Sequence, residues 1–413
     1  MGGRQGLPRW QHRTGLFQPR APAFWAYATL LAVTGVAALR EQGLLHSLAP
    51  GSWTLAWALL VLYLLPMFLL IYLLDVYERE PLSLVVGALA WGAVAATTLA
   101  APANAAWGTV LARLAGPDFA ARWAAALTAP WVEETVKVAG VVLLYLIATD
   151  EFDDIMDGFV YGAMVGLGFA VVEDVLYFVA TPGGGLGGVV AGFFVRVVAS
   201  GLYGHVLYSG LTGMAVACFG ARRANGSSAR RLAMVAALFL VAVAAHSFWN
   251  SPWADLFPTR PRLLPVAVAQ VLLAAAVKGL PFLALLVAMV ILARRREAAW
   301  LQTAIGAEIG GPWLLPGELE VLLSTQRRRH ARGYLRRHSG RQAAALLGRL
   351  QREQINLAMV RSRVQGDDHP DLARQRQLCI TLRNAVLAFP GATLPAPERS
   401  RPRPPRRARP TAP

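Results

Sequence analysis

The sequence predicts an all-α fold: a polytopic membrane helix bundle of about eight transmembrane helices, followed by an Arg-rich cytoplasmic extension. Three observations carry the prediction. The 413-residue chain is 55% hydrophobic and only 15% charged, against about a quarter charged in soluble domains. Its apolar runs repeatedly reach the roughly 20 residues that a helix needs to cross a hydrocarbon core of about 30 Å. Its formal charge of +16 is lopsided, because 23 of the 40 basic residues follow Ala293. The two cysteines, Cys218 and Cys379, stand too far apart in this topology for a disulfide or a thiolate metal site, so redox chemistry has no support.

Eight runs qualify, taken in chain order. Residues 22–39 follow a basic flank, but the run is long and lacks a small-residue cleavage site, which marks an uncleaved anchor. Residues 53–74 form an almost wholly apolar run. Residues 83–103 hold Gly87, Gly92 and Pro102, and the amphipathic piece Ala105–Arg122 after them is expected along the membrane interface. The runs 123–148, 155–180, 189–219 and 231–251 each carry ionisable groups, and in 263–293 Lys278 and Pro281 predict a kink. The domains follow: a basic N-terminus (1–21), a membrane domain (22–293) with its core at about 120–251, a basic helical segment (294–384), and a Pro/Arg tail (385–413) that cannot bury a core.

Orientation follows from the bias of Lys and Arg toward cytoplasmic loops. With eight spans, three clusters share one side: Arg4, Arg9, Arg13 and Arg20; Arg222, Arg223, Arg230 and Arg231; Arg294, Arg295 and Arg296. The other side has only scattered Arg40, Arg113, Arg260 and Arg262. The expectation is a multi-pass protein of the cell membrane with both termini cytoplasmic and the basic segment beside anionic lipid. No folded reading motif accompanies that charge, so nucleic acid is set aside.

Hydrocarbon excludes charge, so ionisable groups inside such runs pair with one another or mark a functional site. Glu133, Glu134 and Lys137 share one run, and Glu173, His205 and His246 fall singly in the next three. On a helix Glu133 and Lys137 lie on one face, with Glu134 rotated by about 100°. Lysine is informative here, because the chain uses arginine 38 times and lysine twice. Gly158, Gly162 and Gly166 form a stripe that admits close helix packing. Glu173 is preferred over the adjacent Asp174, which falls nearer the interface. Ser209 and Asn250 follow the two core histidines at i+4, and the other five histidines fall in loops or termini. At about 1.5 Å of rise per residue, Glu133, Glu173 and His246 come out roughly 10–15 Å below the outer boundary, with His205 nearer the midplane. Two histidines and a carboxylate form a catalytic zinc set, with a second carboxylate to take the proton of a water whose pKa the metal lowers toward about 7. Without a metal, a glutamate activates water directly, and His and Asn stabilise the oxyanion.

Glu133-Glu134-x-x-Lys137, Phe169-Ala-x-x-Glu173, Gly204-His205 and His246-x-x-x-Asn250 resemble, in order, the four motifs of the PrsW family of intramembrane proteases. That family is related to the CAAX-prenyl endopeptidase and bacteriocin-processing group, whose second motif has histidine. The resemblance covers residues 120–251 and implies a bacterial intramembrane peptidase acting on a membrane-anchored protein, such as an anti-sigma-factor-like regulator. It implies Glu133 and Glu134 as catalytic carboxylates with Lys137 and Asn250 beside them, and Glu173, His205 and His246 as ligands of Zn2+. A metal-free glutamate mechanism remains the alternative within the family.

Two other classes compete. A proton- or ion-coupled transporter also needs intramembrane Glu and His, but the halves show no inverted repeat and no matching pair of broken helices. A non-catalytic membrane scaffold would use the same residues as struts and tolerate Glu134→Gln.

Overall fold

The structure, a computed structural model, describes residues 15–74, 79–180, 185–199, 204–220, 226–252, 264–364, 366–392 and 394. The clusters Arg4–Arg13 and Arg222–Arg223, the loop arginines Arg260 and Arg262, and the tail beyond residue 394 lie outside the described residues. The chain divides into two compact units, one covering Arg13–Ala293 and the other built on the residues from Arg294 onward.

The first unit is helical throughout. Pro22 and Pro50 start α1 (Pro22–Leu48) and α2 (Pro50–Tyr72), each at a position where the missing N–H costs nothing. Next, α3 (Leu82–Ala90) passes through a π-helical turn at Trp91–Ala96 into α4 (Thr97–Ala115). Pro117 opens α5 (Pro117–Leu127), and α6 covers Ala129–Ile147. They are followed by α7 (Ile155–Ala180), α8 (Gly185–Phe193) with a second π-helical turn at Phe194–Val198, and α9 (His205–Gly220). Ser227 accepts from the Arg230 backbone N–H to cap α10 (Ser228–Asn250), and α11 covers Leu264–Gly306. Six helical stretches among the described residues are long and apolar enough to cross a membrane: α1, α2, α3–α4, α7, α10 and α11. The chain is a multi-pass membrane protein.

Four expectations need correcting. The single span 189–219 is two helices, because α8 and its π turn end before Gly204, where the backbone bends into α9. The run 83–103 does not end there, because α4 contains Pro102 and continues to Ala115, so Ala105–Arg122 falls in α4 and the start of α5. His46 lies in the last turn of α1 and not in a loop. α11 does not end at 293, since the helix contains Pro281 and continues to Gly306.

Helix α7 is the axis of the first unit, with 72% of its apolar window buried. A Cβ on Gly158, Gly162 or Gly166 would lie 2.3 Å from Gly213 O, 2.0 Å from Ser209 O and 2.2 Å from His205 O respectively. The pairing 158–213, 162–209, 166–205 makes α7 and α9 antiparallel at backbone contact, as the glycine stripe predicts. On the opposite face, a Cβ on Gly92 would lie 1.9 Å from Val165 O, so the π turn packs equally closely. That turn aims the Trp91 ring across the bundle, where its Nε1 donates to Val136 O on α6 at 2.9 Å.

The second unit contains a 3-10 turn (Pro316–Glu318), α12 (Leu319–Leu322), α13 (Thr325–His338), α14 (Gly340–Arg363) and α15 (Pro370–Leu387). It has its own core of Leu335, Leu347, Leu350, Leu357, Leu372, Cys379 and Val386. Arg376 forks onto Glu308, with Nε to Oε2 at 2.7 Å and the terminal nitrogen to Oε1 at 2.9 Å. The tail expected to start at 385 therefore starts later: Val386 is fully buried, and Phe389 and Leu394 pack on the same core.

Candidate active site

The bundle's connectivity brings four functional segments to one end. Antiparallel packing puts the start of α6, the end of α7, the start of α9 and the end of α10 side by side. Glu133 and Glu134 lie in the second turn of α6, Glu173 two turns before the end of α7, His205 at the first position of α9, and His246 one turn before the end of α10. His205 thus opens a helix and does not occupy a midspan position as expected.

Lys137 is the hub. Its fully buried Nζ donates to Glu133 Oε2 at 3.2 Å and Glu134 Oε1 at 2.9 Å, meets His205 Nδ1 at 2.8 Å, and lies 3.8 Å from the centre of the Phe169 ring. An arginine fork could not fit three convergent acceptors around one point, whereas a compact ammonium does. Glu134 is fully enclosed. Its Oε1 also meets His246 Nδ1 at 3.0 Å, and Ser209 Oγ lies 3.5 Å from its Oε2.

Each histidine has one nitrogen committed to a carboxylate: His205 Nε2 to Glu173 Oε2 at 2.9 Å, and His246 Nδ1 to Glu134 Oε1. The other nitrogens lie near one atom, Glu133 Oε2, at 3.8 Å from His246 Nε2 and 3.9 Å from His205 Nδ1, the latter also in contact with Lys137 Nζ at 2.8 Å. Consequently Glu133, His205 and His246 have ligand atoms all within 4.8 Å of one another. The sequence reading had put Glu173 in that set. Glu173 Oε2 is taken instead by Arg196, at 2.6 Å, and by His205 Nε2. Tyr208 stacks on His246 at 4.8 Å and holds the ring's plane.

Asn250 is not part of this charged cluster. Its Nδ2 donates to Ala125 O at 2.9 Å and ties α10 to α5, leaving the side chain at the wall of a cavity of about 230 Å³. Glu133, Glu173, His205 and His246 also face that cavity, but Glu134 and Lys137 do not. A second, mainly apolar groove of about 490 Å³ runs between α4 and α7 past Ala100, Phe169 and Leu176 to Glu133 and Glu173.

Three contributors escaped the sequence reading. Arg196, in the π turn after α8, bonds both Glu173 and Asp174. A lone arginine in an apolar run was the available signal. Lys278 on α11 donates to Trp249 O at 2.9 Å and Ser251 O at 2.6 Å, closing the end of the helix that carries His246. Asn104 on α4 donates from Nδ2 to Glu133 Oε1 at 3.0 Å. Only its polarity within an apolar stretch marked it.

Comparison with known proteins agrees with the motifs. The family described as PrsW family intramembrane metalloprotease matches residues 80–292, just over half of the chain. Protease PrsW of Geobacillus kaustophilus (strain HTA426) is 38% identical over 111 residues, 26% of this chain and 45% of that relative. The chain thus matches less than half the length of that curated protein. No solved structure matches.

Proposed function

The chain belongs to the PrsW family of intramembrane metalloproteases, and on that premise we propose that it hydrolyses a peptide bond of a membrane-anchored protein with water held at Glu133. The carrying observation is that Glu133, of the adjacent glutamates, opens into the cavity between two histidines while Glu134 is sealed behind it.

The donor set fits a divalent cation. Each histidine is oriented through one nitrogen by a carboxylate, as metal-ligating histidines are, and His246 Nε2 lies 3.8 Å from Glu133 Oε2; His205 Nδ1 is shared with Lys137, which an ion would have to displace from it. Charge agrees: Glu133, Glu134, Glu173 and Asp174 face Lys137 and Arg196, which leaves two negative charges in an enclosed site when the histidines are neutral. Uncompensated buried charge is expensive. Glu133, His205 and His246 would hold the ion, with Zn2+ the proposed identity. When bound, it lowers the pKa of water and polarises the scissile carbonyl.

The chain's own residues do the rest. Glu133 lines the cavity beside His205 and His246, where the attacking water would lie. Glu173 and Glu134 fix the tautomers and planes of His205 and His246, and Lys137 bridges the two adjacent carboxylates through one ammonium. Asn250, expected to stabilise the oxyanion, has its donor committed to Ala125 O, so we assign it to holding α10 in place. Alternating the helices from a cytoplasmic N-terminus, with α8 as a short return arm, gives eight passes. Both termini and the α9–α10 loop then lie inside, and the site opens on the outer side. The basic second unit would lie beside anionic lipid headgroups.

The test is cleavage of membrane-anchored reporters by protein purified in detergent, comparing wild type with Glu133→Gln and His205→Ala and measuring bound zinc. We expect wild type to cut, both variants to be at least about a hundredfold slower, and zinc to fall with His205→Ala. Cutting by Glu133→Gln at the wild-type rate would refute the assignment.

A further inference from the structure

Asn104 lies outside the four motifs, on α4, yet it touches the centre of the site. Its amide is turned so that Nδ2 donates to Glu133 Oε1 at 3.0 Å. Oδ1 therefore faces the other way. That oxygen is buried and has no hydrogen-bond partner, an uncommon state for a buried amide acceptor. A strut between helices would satisfy both ends.

The surroundings indicate what the oxygen awaits. Asn104 borders both the polar cavity and the apolar groove between α4 and α7, and Glu133 borders both with it. Thr97, the hydroxyl deeper in that groove, is already committed to its own helix through Ala93 O at 2.8 Å. A ligand reaching Glu133 along the groove thus passes Asn104, whose Oδ1 has no partner among the described residues.

We propose that Asn104 works at both ends during proteolysis: Nδ2 positions the Glu133 carboxylate, and Oδ1 accepts a main-chain N–H of the substrate next to the scissile bond. The inference rests on the protease reading above. Successive peptide units are about 3.8 Å apart, so a peptide with its scissile carbonyl at Glu133 brings a neighbouring N–H to a group bonded to that same carboxylate. Inside a helix each N–H is spent on the carbonyl four residues earlier. The site therefore selects substrate segments that are extended, or the first turn of a helix, where N–H groups are free.

The experiment is a scan of one cleavable peptide in which each backbone N–H is replaced in turn by N-methyl. It is assayed with wild type, Asn104→Ala and Asn104→Asp, with thermal midpoints recorded for all three. In wild type, N-methylation at one position is expected to lower kcat/KM about tenfold, the size of one lost hydrogen bond. Asn104→Ala, which loses both groups, should raise KM, lower kcat and lose that position's penalty. Asn104→Asp keeps an acceptor and loses the donor, so it should retain the penalty while kcat falls. Equal N-methyl profiles in wild type and Asn104→Ala, or no position of penalty in wild type, overturn the proposal and leave the protease reading standing. If folded wild type cuts no peptide, both fall together.

Discussion

Adding one methyl group far from any charged atom should switch the site off. In Gly166→Ala the new Cβ would lie 2.2 Å from the carbonyl oxygen of His205, and ordinary contact begins at 3.4 Å, a deficit of about 1.2 Å. The clash is with backbone, so no side-chain rotation relieves it; α9 must retreat or tilt. The residue struck is His205, one of the three residues proposed to hold the ion. His205 Nε2 sits 2.9 Å from Glu173 Oε2, and a retreat of that size carries it to about 4 Å, beyond hydrogen-bond range. Overpacking of this kind costs about 1–3 kcal/mol, small enough for the bundle to remain folded. Misplacing a reacting group by about 1 Å costs on the order of a hundredfold in rate, or about 2.7 kcal/mol of barrier. The assay is kcat/KM on a membrane-anchored reporter together with the thermal midpoint in detergent, and Gly187→Ala serves as control because nothing lies within 4 Å of its Cβ. We expect Gly166→Ala to fold with a midpoint a few degrees lower and to cut about a hundredfold more slowly, while Gly187→Ala matches wild type in both. Wild-type activity in folded Gly166→Ala would refute the idea that backbone contact between α7 and α9 positions His205.

Lys278→Met removes the donor to Trp249 O and Ser251 O at the end of α10; unmet carbonyls cost about 1–3 kcal/mol, read as a lower thermal midpoint and weaker zinc binding through His246. Arg196→Gln leaves Glu173 and Asp174 adjacent without that cation; because Arg196 is 30% exposed, the cost should fall at or below the low end of the roughly 3–5 kcal/mol of a fully buried pair, and chemical unfolding in detergent measures it. In the second unit, burial and then the nearby Glu353 carboxylate push the Cys379 thiol pKa up. Its native reaction with a thiol reagent at pH 8 should therefore run more than about tenfold slower than that of a free cysteine of pKa about 8.5 and recover on denaturation.

The fold was legible to the extent that it depends on apolar length and small-residue spacing. The runs at 155–180 and 231–251 appear as α7 and α10 nearly residue for residue, and the 158–162–166 stripe packs as its spacing requires. What failed was the assumption that an apolar run is one helix. Residues 189–219 satisfy the length rule as a whole, yet the backbone bends at Gly204, so that a half-length helix and a second helix replace one span. Apolar length constrains only how much chain hydrocarbon can accept; it does not fix where the backbone turns when neighbouring helices cover it.

For the site, the residue types were legible and the partnerships were not. Glu133, Glu134, Lys137, Glu173, His205 and His246 do converge, because charge in apolar surroundings seeks charge. Which carboxylate joins the histidines depends on how two cations share the carboxylates. The Arg196 guanidinium takes Glu173 and Asp174 together while Glu173 also bonds His205 Nε2, and Glu133, paired with Lys137, is the carboxylate that lies within 4 Å of both imidazoles. Arg196 comes from the π turn after α8, a helix too short to register as a span, and no helical periodicity read along one run could connect it to a glutamate 23 positions earlier. The same reasoning gives Lys137 its identity: with Arg196 fixing the outer carboxylates, the inner pair needs a cation small enough to meet Glu133, Glu134 and His205 at one point. A lysine among 38 arginines is what that geometry demands.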